Sequence, residues 1–299
     1  MKPGLPVWRS LLYVPVNVEK YVEKAHTRGA DCILLDLEDS VPAHEKDNAR
    51  KLVAQNAKRV RSGGADVGVR INRPDALAPK DLEAAVGPDV NAIQVPKVDD
   101  AAHLKRLDEM VAKLEAKRGL KPGHTKFIAM VETPAAFFKM PEIAAAVGRT
   151  VAMDIGGEDF ALETGMEPTE DTLLMPKQQM IFAARSAGIM PLGYIASVAS
   201  FSDLDAFRTM VRRSRQFGFL GATCIHPAQV TIVNEEYSPS PGDVALARRI
   251  IEGNAKAAAE GRASFAVDGK MIDVPVVVRA ERLLARHEAI QARISRRKS

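Results

Sequence analysis

The chain has 299 residues, 46% of them hydrophobic and 27% charged, with 42 Lys and Arg against 38 Asp and Glu for a formal net charge of +4. That is the composition of a folded globular protein, which excludes a disordered chain, and no run approaches the ~18 uninterrupted apolar residues of a membrane span. The small basic excess is partly gathered in Arg293, Arg296, Arg297 and Lys298, and only 5% of residues are aromatic, which excludes a base-stacking nucleic-acid platform.

Met1 to Arg9 has two prolines and no apolar core before a small-residue cleavage site, so no secretory signal is read there and a cytoplasmic location is expected. From Ser10 onward, short apolar runs alternate with stretches of helical period. The strand candidates are Ser10 to Pro15, Cys32 to Leu37, Asp66 to Ile71, Ala92 to Val95, Lys126 to Val131, Thr150 to Ile155, Pro191 to Ser197 and Gly221 to Ile225. Between them lie helix candidates at Val18 to Gly29, Glu45 to Arg61, Ala101 to Arg118, Ala135 to Val147, Pro176 to Ala187 and Asp203 to Phe217. CILLDL and KFIAMV are continuously apolar rather than alternating, which is what burial on both faces of a parallel sheet requires. Eight such units predict a (β/α)8 TIM barrel over residues 1–237, with an open doubly wound sheet as the alternative. The first strand is followed by VNVEKY rather than a glycine-rich phosphate loop, which argues against a dinucleotide-binding sheet.

Ser238 to Gly242 breaks the pattern. Residues 238–299 then read as a helix, a hairpin turning at Asp268-Gly269 and a final helix. An extension of this size is expected to pack on the barrel or on a neighbouring subunit. Cys32 and Cys224 lie far apart in apolar runs and read as reduced core thiols.

In a barrel, chemistry sits where strands end. The second strand runs into Asp36, Glu38, Asp39 and Ser40, the third into Arg70 and Asn72, and the fourth into Lys97. The fifth ends in Glu132, the sixth in Gly156-Gly157-Glu158-Asp159 and the eighth in His226-Pro227. Burying so many charges costs several kcal/mol per ion unless they pair or bind metal. Glu132 and Asp159 end adjacent strands, so their carboxylates can meet at one point, where a hard divalent ion would suit them. The alternative is that they pair with Arg70 or Lys97 in a buried network. Lys97 can form a Schiff base or, in the preferred reading, anchor an anion or pair with Glu132. No GxSxG, HExxH or CxxC pattern occurs, and Cys224 sits in apolar surroundings that disfavour a thiolate nucleophile.

These residues resemble the aldolase/citrate lyase superfamily, with its citrate lyase beta subunits and malyl-CoA and citramalyl-CoA lyases. The shared motifs, in order, are RSLLYVP from Arg9, DLEDSV from Asp36, VRIN from Val69, VPK from Val95, VETP from Val131, GGEDF from Gly156, CIHPAQV from Cys224 and DGKMIDVP from Asp268. The resemblance implies Mg2+, with Mn2+ as a substitute, held by Glu132 and Asp159. It implies a coenzyme A thioester, or an acyl-carrier thioester, cleaved with a 2-oxo acid as product. Arg9, Arg70, Lys97, Gly157, Glu158, His226 and Pro227 would form the substrate and CoA site. Arg70 would stabilise the enolate, and Asp273 would protonate it from a neighbouring subunit of a homo-oligomer, a trimer being favoured. Glu38 and Asp39 are the candidates for the base that takes the substrate hydroxyl proton; the alternative for both is to hold Arg70 or Arg9 in place.

Two departures from the family pattern point to a different substrate pocket. Val16 follows the proline where relatives carry glycine, and the seventh strand ends in GYIASVASFSD rather than an acidic, aromatic sequence. The rival readings are a metal-dependent aldolase acting on free 2-oxo acids and a non-catalytic assembly subunit that keeps the barrel.

Overall fold

The apolar runs pair side by side into one parallel sheet. In the computed structural model, residues 2, 4–73, 75–197, 203–262 and 264–298 are described. The elements run β1 (Ser10–Pro15), α1 (Glu19–Ala25), β2 (Cys32–Asp36), α2 (Lys46–Arg61), β3 (Asp66–Arg70), α3 (Ala78–Ala85), β4 (Ala92–Val95), α4 (Ala101–Lys117), β5 (Lys126–Val131), α5 (Pro134–Phe137), α6 (Met140–Ala145) and β6 (Thr150–Ile155). They continue through α7 (Gly157–Thr164), α8 (Glu170–Ser186), β7 (Met190–Pro191), α9 (Leu204–Phe217), β8 (Ala222–Cys224) and α10 (Pro227–Glu236). The strand order is β7-β6-β5-β4-β3-β2-β1-β8. The sheet curls until its edges touch: Leu192 and Gly221 form a parallel bridge, and the Gly193 N–H donates to the Gly221 carbonyl at 2.8 Å.

Side-chain alternation divides the interior of this sheet into layers. Leu11, Leu34, Ala92, Ile128 and Ala152 build an apolar plug with Trp8, Cys32 and Met190. Two residues further along the same strands stand Tyr13, Asp36, Gln94, Met130 and Asp154, with Arg70 from β3. A larger apolar core fills the space between the outer face of the sheet and the helices, with Ile33, Leu35, Val67, Val69, Ile93 and Phe127 on the sheet side.

Several elements differ from those the sequence suggests. The seventh strand is two residues long rather than seven, because the chain turns at Gly193 with φ of 125°; part of the GYIASVASFSD ending, residues 198–202, lies outside the described residues. The helix expected from Pro176 begins at Glu170, where the Thr169 hydroxyl accepts the Thr172 N–H, and Pro176 lies inside it. Ala135 to Val147 is split into α5 and α6. Helices α3, α7 and α10 were not foreseen. Val18 to Gly29 and Glu45 to Arg61 are shorter at one or both ends, as α1 and α2.

The chain folds as two compact units, Met1–Tyr237 and Ser238–Ser299. The second contains α11 (Pro241–Ala259), the antiparallel strands β9 (Phe265–Val267) and β10 (Lys270–Ile272), and α12 (Val274–Lys298). Ser240 caps α11, its hydroxyl accepting the Asp243 N–H. Asp268 and Gly269 both take positive φ, 50° and 74°, as a two-residue hairpin turn demands. Ala247, Ile250, Ile272, Val277 and Ala280 form this unit's own small core. Among the described residues no helix is long and apolar enough to cross a membrane.

Candidate active site

The carboxyl ends of β1, β3, β5, β6 and β8 contribute to a cavity of about 160 Å3, lined by Tyr13, Arg70, Glu132, Asp154, Asp159 and Lys177 among others. Arg70 leaves the end of β3 in register with Asp36 on β2. Its guanidinium grips Asp36 with two hydrogen bonds of 2.8 and 2.7 Å, reaches Glu38 and Asp39 at 3.0 Å each, and lies 4.6 Å over the Tyr13 ring. Tyr13 is fixed in turn by donating its hydroxyl to Gln94 Oε1 at 2.7 Å. Burial works against the Asp36 carboxylate, yet the hydrogen bonds and charge of Arg70 hold it below its ordinary range.

Glu132 has no such partner. It is 3% exposed, and among the described residues no Lys, Arg or His side-chain nitrogen stands within 4.0 Å of its carboxylate. What it accepts is the Lys97 backbone N–H, at 2.5 Å. Lys97 presents that N–H from a left-handed backbone, φ 46°, a conformation a non-glycine residue holds only under constraint. Burial, reinforced by Glu38 and Asp159, pushes the Glu132 carboxyl up to about 8. The Lys97 ammonium goes elsewhere, to Asp159 at 3.2 Å and Glu38 at 3.6 Å. The expected alternative of internal pairing therefore holds for Asp159 and not for Glu132.

The glycines before Asp159 make this arrangement possible. A Cβ on Gly156 would stand 2.7 Å from both Cγ and Oε1 of Glu132, so only glycine leaves that carboxylate its place. Gly157 opens α7, whose first turn carries Glu158 and Asp159. The Ser197 hydroxyl is hydrogen-bonded to the exposed Glu158. Among the described residues no three His, Cys, Asp or Glu side chains cluster as a complete metal cage. The residues able to hold a hard cation are Glu132 and Asp159, and an octahedral ion would take its other oxygens from water and substrate. A buried carboxylate lacking a counter-charge beside a second carboxylate fits that role.

Other expected site residues lie elsewhere. Arg9 precedes β1, at the end of the sheet opposite the cavity, and is 5% exposed. Its guanidinium is bound to Asp31 at 2.8 and 3.0 Å, so a substrate role for Arg9, or one for Glu38 and Asp39 in holding it, does not stand. His226 and Pro227 begin α10 beside the cavity-lining Ile225; His226 Nδ1 accepts the Ala228 N–H at 3.2 Å. Asp273 is exposed at the head of α12 in the second unit. Cys224 is buried, and burial pushes its thiol up to about 12, which removes it as a nucleophile. Tyr13, Gln94, Asp154 and Lys177 were missed. The first three occupy alternate positions in strands that read as apolar, and the period-2 pattern was the signal that could have found them.

Residues 9–227 match the HpcH/HpaI aldolase/citrate lyase family. The chain belongs to that family. Its relatives include citrate lyase beta subunits and a malyl-CoA lyase, and this chain is an enzyme of the carbon-carbon lyase class. It is 33% identical to the citrate lyase subunit beta of Escherichia coli over 94% of this chain and 93% of the relative. It is 35% identical to a (3S)-malyl-CoA thioesterase of Cereibacter sphaeroides, covering 95% and 96%. The structure of CitE from Mycobacterium tuberculosis in complex with magnesium, acetoacetate and coenzyme A superposes with a TM-score of 0.75 at 29% identity, covering 95% of this chain and 99% of that chain.

Proposed function

We propose that the protein is a Mg2+-dependent lyase that cleaves a 3-hydroxy-3-carboxyacyl thioester of coenzyme A into a 2-oxo acid and an acyl-CoA, on a closed (β/α)8 barrel. The observation that carries this reading is Glu132: a buried carboxylate with, among the described residues, no cationic side chain within 4.0 Å, lining the same cavity as Asp159 and Arg70. Glu132 and Asp159 would hold the ion. When bound, Mg2+ supplies Lewis acidity to the substrate's hydroxyl and carboxylate oxygens.

The chain's own residues do the rest. Cleavage breaks the C2–C3 bond of the thioester, sends its electron pair into the thioester as an enolate, and requires a base for the hydroxyl proton. Of the two candidates Glu38 is favoured, since burial pushes it up to about 7, whereas Asp39 is largely exposed at 60%. Arg70, oriented by Asp36 and stacked on Tyr13, presents a preorganised cation to the enolate oxygen; losing one such donor typically costs 10² to 10³ in rate. Lys97 keeps Asp159 and Glu38 in place. Asp273 would return a proton to the enolate carbon, contributed by a neighbouring copy within a homotrimer in the cytoplasm, with residues 238–299 packed against the barrel or that neighbour.

The test is a panel of malyl-, citramalyl- and citryl-CoA incubated with the protein and Mg2+, following 2-oxo acid and acyl-CoA together. Stoichiometric release of both is expected. Release of free CoA with an intact hydroxy acid would instead favour hydrolysis, the reaction named for the Cereibacter relative. No turnover of any member of the panel, with metal bound, would overturn the lyase reading.

A further inference from the structure

Lys177 lies on α8, outside every motif that marks the strand ends, and its side chain lines the same cavity. It is 4% exposed. Its ammonium donates to the Ala196 carbonyl at 3.1 Å, and among the described residues no carboxylate lies within 4.0 Å of it. Asp154 and Glu158 act on its charge only from beyond that reach. The other cations of the site are committed, Arg70 to three carboxylates and Lys97 to two. A lysine is almost never buried unless paired, because the desolvation cost of the charge must be offset. Burial accordingly draws the Lys177 ammonium below its ordinary range, with Asp154 and Glu158 opposing.

The position of this cation relative to Glu132 is set by two consecutive glycines. A Cβ on Gly156 would meet the Glu132 carboxylate at 2.7 Å, and a Cβ on Gly157 would stand 3.5 Å from the Lys177 ammonium. A substrate laid along this backbone with its hydroxyl and carboxylate toward Glu132 and Asp159 therefore has its next substituent at Lys177. The geometry points to Lys177 as a specificity-determining residue that pairs with a second carboxylate on the 2-oxo acid half of the substrate. The inference rests on the lyase reading of the cavity. A carboxylate in this place makes a charge-assisted hydrogen bond; a methyl group or a hydrogen leaves the buried ammonium with no carboxylate in hydrogen-bond reach among the described residues. Asp154 faces the same cavity, and burial pushes its carboxyl up to about 7.

The test uses the full chain with Mg2+ and acetyl-CoA in the condensation direction, comparing glyoxylate, pyruvate and oxaloacetate. The wild-type kcat/KM is expected to favour oxaloacetate. Lys177→Met should lower it for oxaloacetate about 10- to 100-fold while leaving pyruvate within about 3-fold, and that residual activity reports an intact fold. Lys177→Arg, which keeps the charge, should retain the preference. A wild-type preference for pyruvate or glyoxylate, or equal loss for all three acids in Lys177→Met, overturns the assignment. So does borohydride trapping of an imine between pyruvate and Lys177. Should no acid be consumed, the lyase reading fails by itself. Lys177 is then judged by calorimetric titration with oxaloacetate and pyruvate: tighter dicarboxylate binding that Lys177→Met abolishes supports its role, and equal binding of the two acids overturns it.

Discussion

Glu38 stands 3.0 Å from the Arg70 guanidinium and 3.6 Å from the Lys97 ammonium, yet its carboxyl is pushed up to about 7. Burial is the first cause, and the charges of Asp39 and Asp36 add to it against Arg70. The contact with Arg70 is electrostatic only, because Glu38 Oε2 is buried without a hydrogen bond. The folded protein therefore holds the Glu38 proton more tightly than the unfolded chain, whose carboxyl titrates near 4.5. That contribution to stability is intact below pH 4.5 and is lost as pH rises through about 7. Glu38→Gln should remove this part of the slope, so the melting temperature of the variant falls less between pH 5 and 8 than that of the wild type, as measured by calorimetry of the metal-free protein. His103, which shifts in the opposite sense, is common to both proteins and cancels in the comparison. An identical fall in both would show that Glu38 titrates normally. Arg70, Lys97, Glu132 and Asp159 were legible as members of one charged cluster because each follows an apolar run at a strand end. The unpaired state of Glu132 was not, since it depends on where the Lys97 side chain turns. Lys177 was not legible either, because its helix approaches the cavity from outside the sheet.

Strands one to six were legible almost to the residue, since double-faced burial demands aliphatic runs that the sequence displays directly. The contact between the two edges of the curled sheet was not. Among the described residues Leu192 and Gly221 form a single bridge there, and two glycines allow it: the Gly193 backbone turns with φ of 125°, and a Cβ on Gly221 would stand 2.1 Å from the Trp8 carbonyl oxygen. Helices α7 and α10 were missed because they begin with Gly157 and Pro227, which read as loop residues. For α10 a local signal existed: a proline at the first helical position preceded by a residue that caps, here His226 with Gln229 reaching back to its N–H at 3.1 Å. Because the obstacle at Gly221 is backbone, Gly221→Ala must push β8 from β1, at a cost of about 1–3 kcal/mol or more. A melting temperature lower by about 3–9 °C is expected. Gly87→Ala, whose Cβ would meet nothing within 4 Å, should melt within about 2 °C of the wild type, and can gain slightly from reduced freedom of the unfolded chain. Equal melting of the two variants would mean that this contact tolerates widening.

At the scale of the whole molecule, the residues proposed for metal binding and enolate stabilisation all belong to residues 1–237, whereas Asp273 belongs to residues 238–299. Within its unit Asp273 is exposed and accepts the N–H groups of Val276 and Val277 at 3.1 Å, so its backbone starts a helix while its carboxylate stays accessible. A proton donor on a separate unit can serve its own chain or a neighbour, and the two arrangements give different statistics. If Asp273 serves a neighbour, a site in a mixed oligomer works when one subunit supplies Arg70 and the adjacent subunit supplies Asp273. Asp273→Ala and Arg70→Ala proteins, each inactive alone and mixed in equal amounts with subunit exchange complete, then form competent pairs at about one interface in four. Recovery near a quarter of wild-type turnover is the expected result, with Mg2+ binding by the Asp273→Ala protein unchanged in calorimetric titration. Asp273 serving its own chain predicts no recovery at any mixing ratio, because every site would then carry one of the two lesions.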